Sequence, residues 1–224
     1  MDEICILIPA YNPDERLIEL YTELKNTFNV VIVDDGSADK AIFNAINPKN
    51  IIVHPVNMGK GEALKSGMKY IIENFPNIKG IVTADCDLQH SVADITKLAT
   101  QLNSSPNKVY FGSRDFSSKN VPFRSKFGNI IMSKFIKLIH KIDVKDTQTG
   151  LRGLPIDFAK HILKLGGSDF SFETEMLIET KFCNIPIVEI PISTVYIQNN
   201  KHSHFNPIKD SYKILVSALE KNNA

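Results

Sequence analysis

The fold of this chain follows from one stretch, Gly80-Ile81-Val82-Thr83-Ala84-Asp85-Cys86-Asp87-Leu88-Gln89-His90. The stretch begins with a short apolar run, which is typical of a strand buried on both faces. Asp85 and Asp87 follow at once, and two carboxylates at this spacing can hold one hard divalent cation such as Mg²⁺ or Mn²⁺. Gln89 repeats the two-residue step and is a candidate third ligand. The alternative is an acidic turn with solvated side chains, which the spacing alone does not exclude.

Short apolar runs alternate with helical patterns throughout the first half of the chain. Strands are predicted over residues 4–8, 30–33, 50–53, 80–83 and 108–111. Helices are predicted over residues 14–28, 61–75 and 92–102. Apolar strands separated by helices are typical of a mostly parallel sheet. The sequence therefore predicts an α/β fold with helices on both faces of the sheet.

The second half of the chain is less regular. Helices are predicted over residues 124–142, 155–165, 172–182 and 206–220, and a strand over residues 185–190. The regular alternation ends near residue 113. Because no linker or compositional break accompanies that change, we expect one domain over residues 1–224 rather than two independent ones.

Composition excludes several classes of function. The formal net charge is +1, which argues against nucleic-acid binding, since such proteins usually carry a strongly basic surface. The three cysteines are far apart and form no Cys-x-x-Cys pair, which argues against a zinc site or a disulfide framework and fits a reducing cytosol. The acidic N-terminus does not resemble a signal peptide, and no apolar stretch reaches about 18 residues. We therefore expect a cytoplasmic protein.

Polar or glycine-rich loops follow the other predicted strands as well. They are residues 9–12, 34–37, 57–61 and 112–114, and ligands of open α/β sheets bind at the carboxyl ends of strands. Asp34 or Asp35 could accept hydrogen bonds from a nucleobase or ribose, or could simply form a turn. Lys60 could reach a phosphate beside Gly59 and Gly61, or the segment could be a plain helix start. The sequence has neither a P-loop nor a Gly-x-Gly-x-x-Gly motif after the first strand.

Taken together, these motifs resemble glycosyltransferase family 2, and within it the dolichol-phosphate mannose synthase and polyprenyl-phosphate glycosyltransferase branch. The matching segments, in the family's order, are Pro9-Ala10-Tyr11-Asn12, Val33-Asp34-Asp35-Gly36-Ser37, Asn57-x-Gly59-Lys60-Gly61-x-Ala63, Asp85-x-Asp87-x-Gln89-His90, Gly112-Ser113-Arg114, Asp146-x-Gln148-Thr149-Gly150-Leu151-Arg152, Phe172-Glu173-x-Glu175 and Glu189-Ile190-Pro191-Ile192. Each segment is weak alone, but together they run from residue 9 to about residue 205.

The resemblance implies a GT-A fold and inverting transfer from GDP-mannose or a UDP-hexose to a polyprenyl or dolichyl phosphate, with Mg²⁺ or Mn²⁺ as cofactor. It divides the domain into a nucleotide-sugar-binding half, residues 1–112, and an acceptor-binding half, residues 113–224. The residues implied for the nucleotide sugar are Pro9, Ala10, Tyr11, Asn12, Asp34, Asp35, Gly36, Asn57, Gly59, Lys60, Ala84 and Asp85. Those implied for the metal are Asp85, Asp87 and Gln89. Those implied for the acceptor are Arg114, Arg124, Arg152 and Ser203, and for catalysis Asp87, Glu173 and Arg114.

Three departures from the family pattern affect these implications. Pro13 stands where many relatives have Glu, which removes one possible nucleotide contact. The segment Lys201-His202-Ser203-His204 replaces the Gly-Glu-Ser-Lys of mannose synthases, so the donor sugar stays open. His202 and His204 could be solvated, could bind a metal, or could touch donor phosphates. The C-terminal transmembrane helices of many relatives are also missing from this sequence.

The nature of the acceptor decides whether a base is required. A lipid phosphate is already anionic and needs none, whereas a hydroxyl of a glycan needs a carboxylate base. Glu173 is the candidate base and Glu175 the second, although both could simply stabilise a helix N-terminus. The basic amphipathic helix over residues 124–142 could lie on an anionic membrane or pack on the sheet. A non-catalytic nucleotide-sugar-binding protein is the remaining alternative.

Overall fold

The computed structural model of the chain describes residues 3–46, 51–116 and 123–193, with only the backbone of residues 123–125. The strands are β1 Ile4–Ala10, β2 Asn29–Asp34, β3 Ile51–Val53, β4 Gly80–Thr83, β5 Val109–Arg114, β6 Arg152–Pro155 and β7 Ile187–Ile192. The helices are α1 Arg16–Leu24, α2 Ala41–Asn44, α3 Lys60–Asn74, α4 Val92–Ser104, α5 Phe123–His140, α6 Ile156–Ile162 and α7 Ser171–Phe182. Among the described helices, none is long and apolar enough to cross a membrane.

The strands form one sheet in the order β3-β2-β1-β4-β6-β5-β7. All neighbouring pairs are parallel except those of β6, which runs antiparallel to both β4 and β5. The prediction of a mostly parallel sheet is confirmed. Because β6 and β7 pair with strands of the first half, the sheet continues across residue 113. The division into donor and acceptor halves stays a prediction.

The alternation of side chains along β1 explains why helices cover both faces of the sheet. Cys5 and Leu7 point into a core formed with α3, α5, α6 and α7. Ile4, Ile6 and Ile8 point to the other face and pack with α1, α2 and α4. Successive side chains of a strand lie on opposite faces, so a run that is apolar at every position needs two apolar layers.

Several predicted boundaries are corrected by the structure. The strand predicted over residues 50–53 is Ile51–Val53, and that over residues 185–190 is Ile187–Ile192. The short α2 was not predicted, and β6 was missed because its four residues include Gly153 and Pro155 and show no apolar period. The helix predicted over residues 206–220 lies outside the described residues.

The topology brings the polar loops together. Strands β1, β2, β4 and β5 point in the same direction, so their carboxyl ends lie at one edge of the sheet. Each of these ends leads into a polar or glycine-containing loop, and α3 begins at the same edge. This edge is the candidate functional site.

Candidate functional site

Asp85 lies in the turn that follows β4 and is held from three sides. Lys60 donates from Nζ to Asp85 Oδ1 at 2.8 Å, and His90 Nε2 lies 3.2 Å from Oδ2. On the third side lies Gly150, where a Cβ would stand 2.5 Å from Asp85 Oδ2. Burial would raise the pKa of Asp85, but the charge of Lys60 and the hydrogen bond from His90 outweigh it and hold that pKa well below its usual range. Asp85 is therefore a fixed carboxylate anion.

Lys60 joins two elements of the site. Its Nζ lies 3.1 Å from Glu173 Oε1 as well as 2.8 Å from Asp85 Oδ1. Burial would lower the pKa of Lys60, but the two carboxylates outweigh it and raise that pKa above its usual value. Lys60 is the first residue of α3 and Glu173 lies in the first turn of α7, so two helix N-termini meet at this edge. An anion is favoured at such a place, because helix N-termini carry partial positive charge.

The loop before α3 packs closely against the backbone near Ser168. Gly59 has a φ of +96°, and a Cβ there would lie 2.6 Å from the carbonyl oxygen of Ser168. Glu62 donates its backbone N–H to the same oxygen at 3.1 Å. Glu175 accepts from the backbone N–H of Gly167 at 3.2 Å, so its carboxylate supports the neighbouring loop. Glycine at position 59 is thus required by both conformation and space.

Asp87 is the second carboxylate of the turn. Its Oδ1 accepts from the backbone N–H of Gln89 at 3.1 Å, and its carbonyl accepts from Arg16 at 3.1 Å. Burial, and then the negative charge of Asp85, raise the pKa of Asp87. Repulsion between two neighbouring carboxylates is relieved when a divalent cation lies between them. With Gln89 alongside, Asp85 and Asp87 offer hard oxygen ligands, and these three residues fit Mg²⁺ or Mn²⁺.

Asp35 and Asp34 are engaged inside the protein. Asp35 accepts from the backbone N–H groups of Met58 and Gly59, both at 2.9 Å, and its Oδ1 lies 2.7 Å from His54 Nδ1. Asp34 is fully buried, accepts from Lys40 and accepts from the backbone N–H of Ser37 at 2.8 Å. Asp35 therefore holds the loop that leads into Lys60. Its partner His54 was not predicted, because no motif in the sequence marks it.

The remaining residues assigned to the nucleotide line the same edge. Pro9, Ala10 and Ala84 are buried at strand ends, and Tyr11 is half-buried. Asn12 accepts from the backbone N–H of Ala38 at 2.9 Å, which ties the first loop to the second. Gly36 follows Asp35 with a φ of +75°, and Asn57 is exposed.

Arg114 ends β5 and is paired with Asp146, a residue for which the sequence predicts no role. Its Nε donates to Asp146 Oδ2 at 2.6 Å and its Nη2 to Oδ1 at 2.9 Å. Asp146 is fully buried, while the Arg114 side chain keeps some exposure. This two-point pairing fixes the direction of the guanidinium. The side chain of Arg124, and Ser203 with its flanking histidines, lie outside the described residues.

Arg152 requires a correction. It was assigned to the acceptor, but its side chain is fully buried. It donates to the backbone carbonyls of Thr149 at 2.9 Å, Thr147 at 3.3 Å and Glu173, and it lies over the Phe111 ring at 4.8 Å. A guanidinium surrounded by carbonyls beneath the site cannot face an acceptor phosphate. Arg152 instead joins β6 to the first turn of α7.

The chain is similar to known proteins over most of its length. Residues 5–162 match the family model described as "Glycosyl transferase family 2". An uncharacterised protein of Methanocaldococcus jannaschii is 32% identical over 97% of this chain and 91% of its own length. A UDP-N-acetylglucosamine–dolichyl-phosphate N-acetylglucosaminyltransferase of Methanococcus voltae is 31% identical over 97% of each chain. The crystal structure of mannosyl-3-phosphoglycerate synthase from Rubrobacter xylanophilus is 12% identical with a TM-score of 0.65, covers 97% of this chain and 71% of that one, and shows the shared fold.

Proposed function

Because the chain belongs to glycosyl transferase family 2 and is a glycosyltransferase with the predicted GT-A fold, we propose that it moves a sugar from a nucleoside-diphosphate sugar to the phosphate of a polyprenyl or dolichyl lipid. The observation that carries the proposal is the charged cluster at the strand ends. There Lys60 contacts both Asp85 and Glu173, and Asp87 lies in the same turn. The Methanococcus voltae relative is named for a dolichyl-phosphate acceptor, which supports a lipid phosphate as the acceptor here.

The donor diphosphate would lie where α3 and α7 begin. Lys60 is positioned to neutralise charge on the leaving nucleotide, at a helix N-terminus that also favours an anion. Asp85, Asp87 and Gln89 would hold Mg²⁺ or Mn²⁺. Such an ion, when bound, supplies Lewis acidity that stabilises the departing diphosphate. Asp35 keeps the Met58–Gly59 backbone, and with it Lys60, in place.

The acceptor would approach from the side of Arg114. Its guanidinium is fixed by Asp146, and a fixed guanidinium matches the oxygens of a phosphate. The phosphate oxygen attacks the anomeric carbon, the bond from that carbon to the diphosphate breaks, and a sugar phosphodiester forms. No proton has to be removed from an anionic phosphate, so Glu173 serves as a partner of Lys60 rather than as a base. We propose inversion at the anomeric carbon. Arg124 and Ser203 stay proposed acceptor contacts.

Helix α5 gives the proposed enzyme a surface for a lipid acceptor. Met132 and Ile136 on one face are buried in the core, as packing on the sheet requires. Phe127, Ile131 and Leu138 on the opposite face are exposed. Lys126, Lys134, Lys137 and Lys141 lie on the same helix or directly after it. Exposed apolar side chains among lysines suit the surface of an anionic bilayer, and we propose peripheral association through α5.

The donor sugar is proposed from a relative whose name includes its donor. The Methanococcus voltae enzyme is named for UDP-N-acetylglucosamine, and we propose that donor for this chain, with GDP-mannose as the alternative. Thermal-shift measurements with UDP and GDP in the presence of Mn²⁺ separate the two, because a ligand that binds only the folded state raises its melting temperature.

A radiolabelled transfer assay tests the function. Purified protein is incubated with Mn²⁺ and labelled donor, with and without dolichyl phosphate. We expect label in the organic phase only when the lipid phosphate is added, and none with Asp87→Ala. Label on a soluble saccharide would show a hydroxyl acceptor instead. Absence of both transfer and donor hydrolysis would indicate a non-catalytic nucleotide-sugar-binding protein.

A further inference from the structure

A second group of metal-binding side chains lies outside the strand-end site. His161 belongs to the last turn of α6, Glu179 to the last turns of α7, and Cys183 follows α7 directly. One ligand atom from each of the three lies within 4.8 Å of the other two. We infer that His161, Glu179 and Cys183 form a binding site for a transition-metal ion of the Zn²⁺ type.

The three ligand types select the kind of ion. An imidazole nitrogen, a thiolate sulfur and a carboxylate oxygen suit Zn²⁺, whereas Mg²⁺ and Ca²⁺ take oxygen ligands. Zinc bonds of about 2.0–2.3 Å in a tetrahedron place ligand atoms roughly 3.3–3.8 Å apart. The three ligand atoms lie within 4.8 Å of one another, and His161 Nε2 lies 2.6 Å from Glu179 Oε1. These distances differ from the tetrahedral spacing by about 1 Å. Binding an ion would require the ligand atoms to move by about that much.

The backbone keeps two of the ligands in register. Glu179 and Cys183 are one helical turn apart, and Cys183 donates its backbone N–H to the carbonyl of Glu179 at 3.0 Å. Side chains four residues apart lie on the same face of a helix. His161 comes from the neighbouring helix, so an ion bound here would join α6 to α7.

The site is open to solvent on one side and packed against the hydrophobic core on the other. The His161 side chain is 34% exposed, which gives an ion a path from solvent, while Glu179 is largely buried. Cys183, Leu163 and Ile185 pack against the main hydrophobic core. Three protein ligands leave a fourth position for water. Sequence spacing argued against a zinc site because there is no Cys-x-x-Cys pair, but here the fold assembles the ligands from two helices.

The effect of such an ion would be structural. Cys183 lies about 15 Å along the helix axis from Glu173, so the ion would not touch the transferred sugar. It would hold the far end of the helix whose first turn pairs with Lys60. Binding would convert the Cys183 thiol to a thiolate and release one proton.

An ordinary ion pair between His161 and Glu179 is the competing explanation, and it predicts no metal binding through the Cys183 thiol. Co²⁺ replaces Zn²⁺ in such sites and gives a sulfur-to-metal absorption band when a thiolate is bound. Metal-free full-length protein is titrated with Co²⁺ in excess Mg²⁺, which occupies oxygen sites and not thiolates. We expect one equivalent to produce the band, and Zn²⁺ to abolish it.

Variants assign the band to the site. Cys183→Ser should remove it, and His161→Gln or Glu179→Gln should weaken Zn²⁺ binding about 10-fold or more. Cys86→Ser is the matched control, because its thiol lies in the strand-end turn, and it should keep the band. Zn²⁺ should also raise the melting temperature of the wild type but not of Cys183→Ser.

Two results would overturn the proposal. One is a wild-type protein with neither the band nor a melting-temperature shift, as an ion pair alone predicts. The other is a band that persists in Cys183→Ser. Circular dichroism of each variant is the check that it is folded. Either result would leave the transferase proposal intact, because transfer is measured separately and depends on Asp85 and Asp87.

Discussion

Gly150 lies directly against the carboxylate of Asp85, so that a Cβ at position 150 would stand 2.5 Å from Oδ2. A Cβ atom does not come so close to a non-bonded heavy atom unless one of the two is displaced, and the nearest atoms here belong to the carboxylate itself. Thr83 donates from its hydroxyl to the carbonyl of Gly150 at 2.8 Å, which fixes the glycine in place. Gly150 therefore sets the position of Asp85 from outside the turn.

Gly150→Ala should consequently displace Asp85 and reduce sugar transfer. We expect a fall in kcat/KM of about 100-fold, since shifts of about 1 Å at a reacting centre have effects of that size. When activity is titrated with Mn²⁺, the variant should bind the ion more weakly and need a higher Mn²⁺ concentration to reach half of its maximal rate. Gly128→Ala is the control, because a Cβ there meets nothing within 4 Å. It lies within α5 and should stabilise the protein by about 0.5–1 kcal/mol. Equal activity in both variants would contradict the role given to Gly150.

Asp87→Ala should abolish transfer while the fold survives, because Asp87 lies in a turn rather than in the core. Cys86→Ala is the adjacent control. Burial, and then the charges of Asp87 and Asp85, raise the pKa of the Cys86 thiol to about 12. Mg²⁺ and Mn²⁺ prefer the carboxylate oxygens on either side of this thiol, so Cys86 is not expected to be a ligand. We expect Cys86→Ala to keep near-wild-type activity. Transfer by Asp87→Ala at the wild-type rate, with circular dichroism unchanged, would refute the metal assignment.

Lys60→Met should weaken use of the donor. The change removes the cation shared by Asp85 and Glu173 and leaves two neighbouring carboxylates facing the donor diphosphate. A loss of about 100-fold in kcat/KM for the nucleotide sugar is expected, as for removal of one group that stabilises transition-state charge. Lys65→Met on the same helix is the control, since Lys65 pairs with Glu62. Donor kinetics for the two variants should differ; similar kinetics would remove Lys60 from the donor site.

The charged cluster at the strand ends can be predicted from the sequence, because the direction of the strands determines which loops lie together. Asp85 and Asp87 follow β4, and Lys60 begins α3. The carboxyl ends of parallel strands lie at one edge of a sheet, where ligands bind. Contacts made by tertiary packing were not predictable in this way. His54 reaches Asp35 across 19 residues, and nothing in the local pattern distinguishes it from a surface histidine.

Arg152 shows the opposite difficulty. An arginine in a family motif suggests phosphate binding, yet β6 carries this one beneath the site among carbonyl groups. The strand has only four residues, and with Gly153 and Pro155 among them it shows no apolar period that would predict a strand. The lack of an apolar period in β6 therefore explains why neither the antiparallel strand nor the burial of Arg152 was predicted. Whether an arginine is buried depends on the fold around it rather than on its neighbours in sequence.

Arg114→Met should impair use of the acceptor and also lower stability. Removing the guanidinium leaves Asp146 buried without its partner, which costs about 3–5 kcal/mol in the free energy of unfolding for a broken buried pair. The double variant Arg114→Met with Asp146→Asn removes the charge as well and should recover much of that stability. Lipid-phosphate kinetics should stay impaired in the double variant. A change in donor KM alone would show that Arg114 belongs to the donor side.

The exposed face of α5 should bind anionic membranes. Phe127, Ile131 and Leu138 are 55%, 47% and 68% exposed and lie on one face, because they are four and seven residues apart. Each lysine near the surface adds about 1 kcal/mol of attraction to an anionic bilayer. Flotation with vesicles containing anionic lipid should therefore recover the wild type at low salt and less of it at high salt.

Leu138→Glu tests that face directly. It places a negative charge among the lysines and removes an apolar contact, so flotation should fall sharply while circular dichroism stays unchanged. Phe182→Glu is the matched control, because Phe182 is also a largely exposed apolar residue, at 58%, on the unrelated helix α7. If both variants float like the wild type, α5 does not contact the membrane. If Leu138→Glu also loses transfer to dolichyl phosphate in vesicles but retains it in detergent, membrane contact serves delivery of the acceptor rather than the chemistry at Asp85 and Asp87.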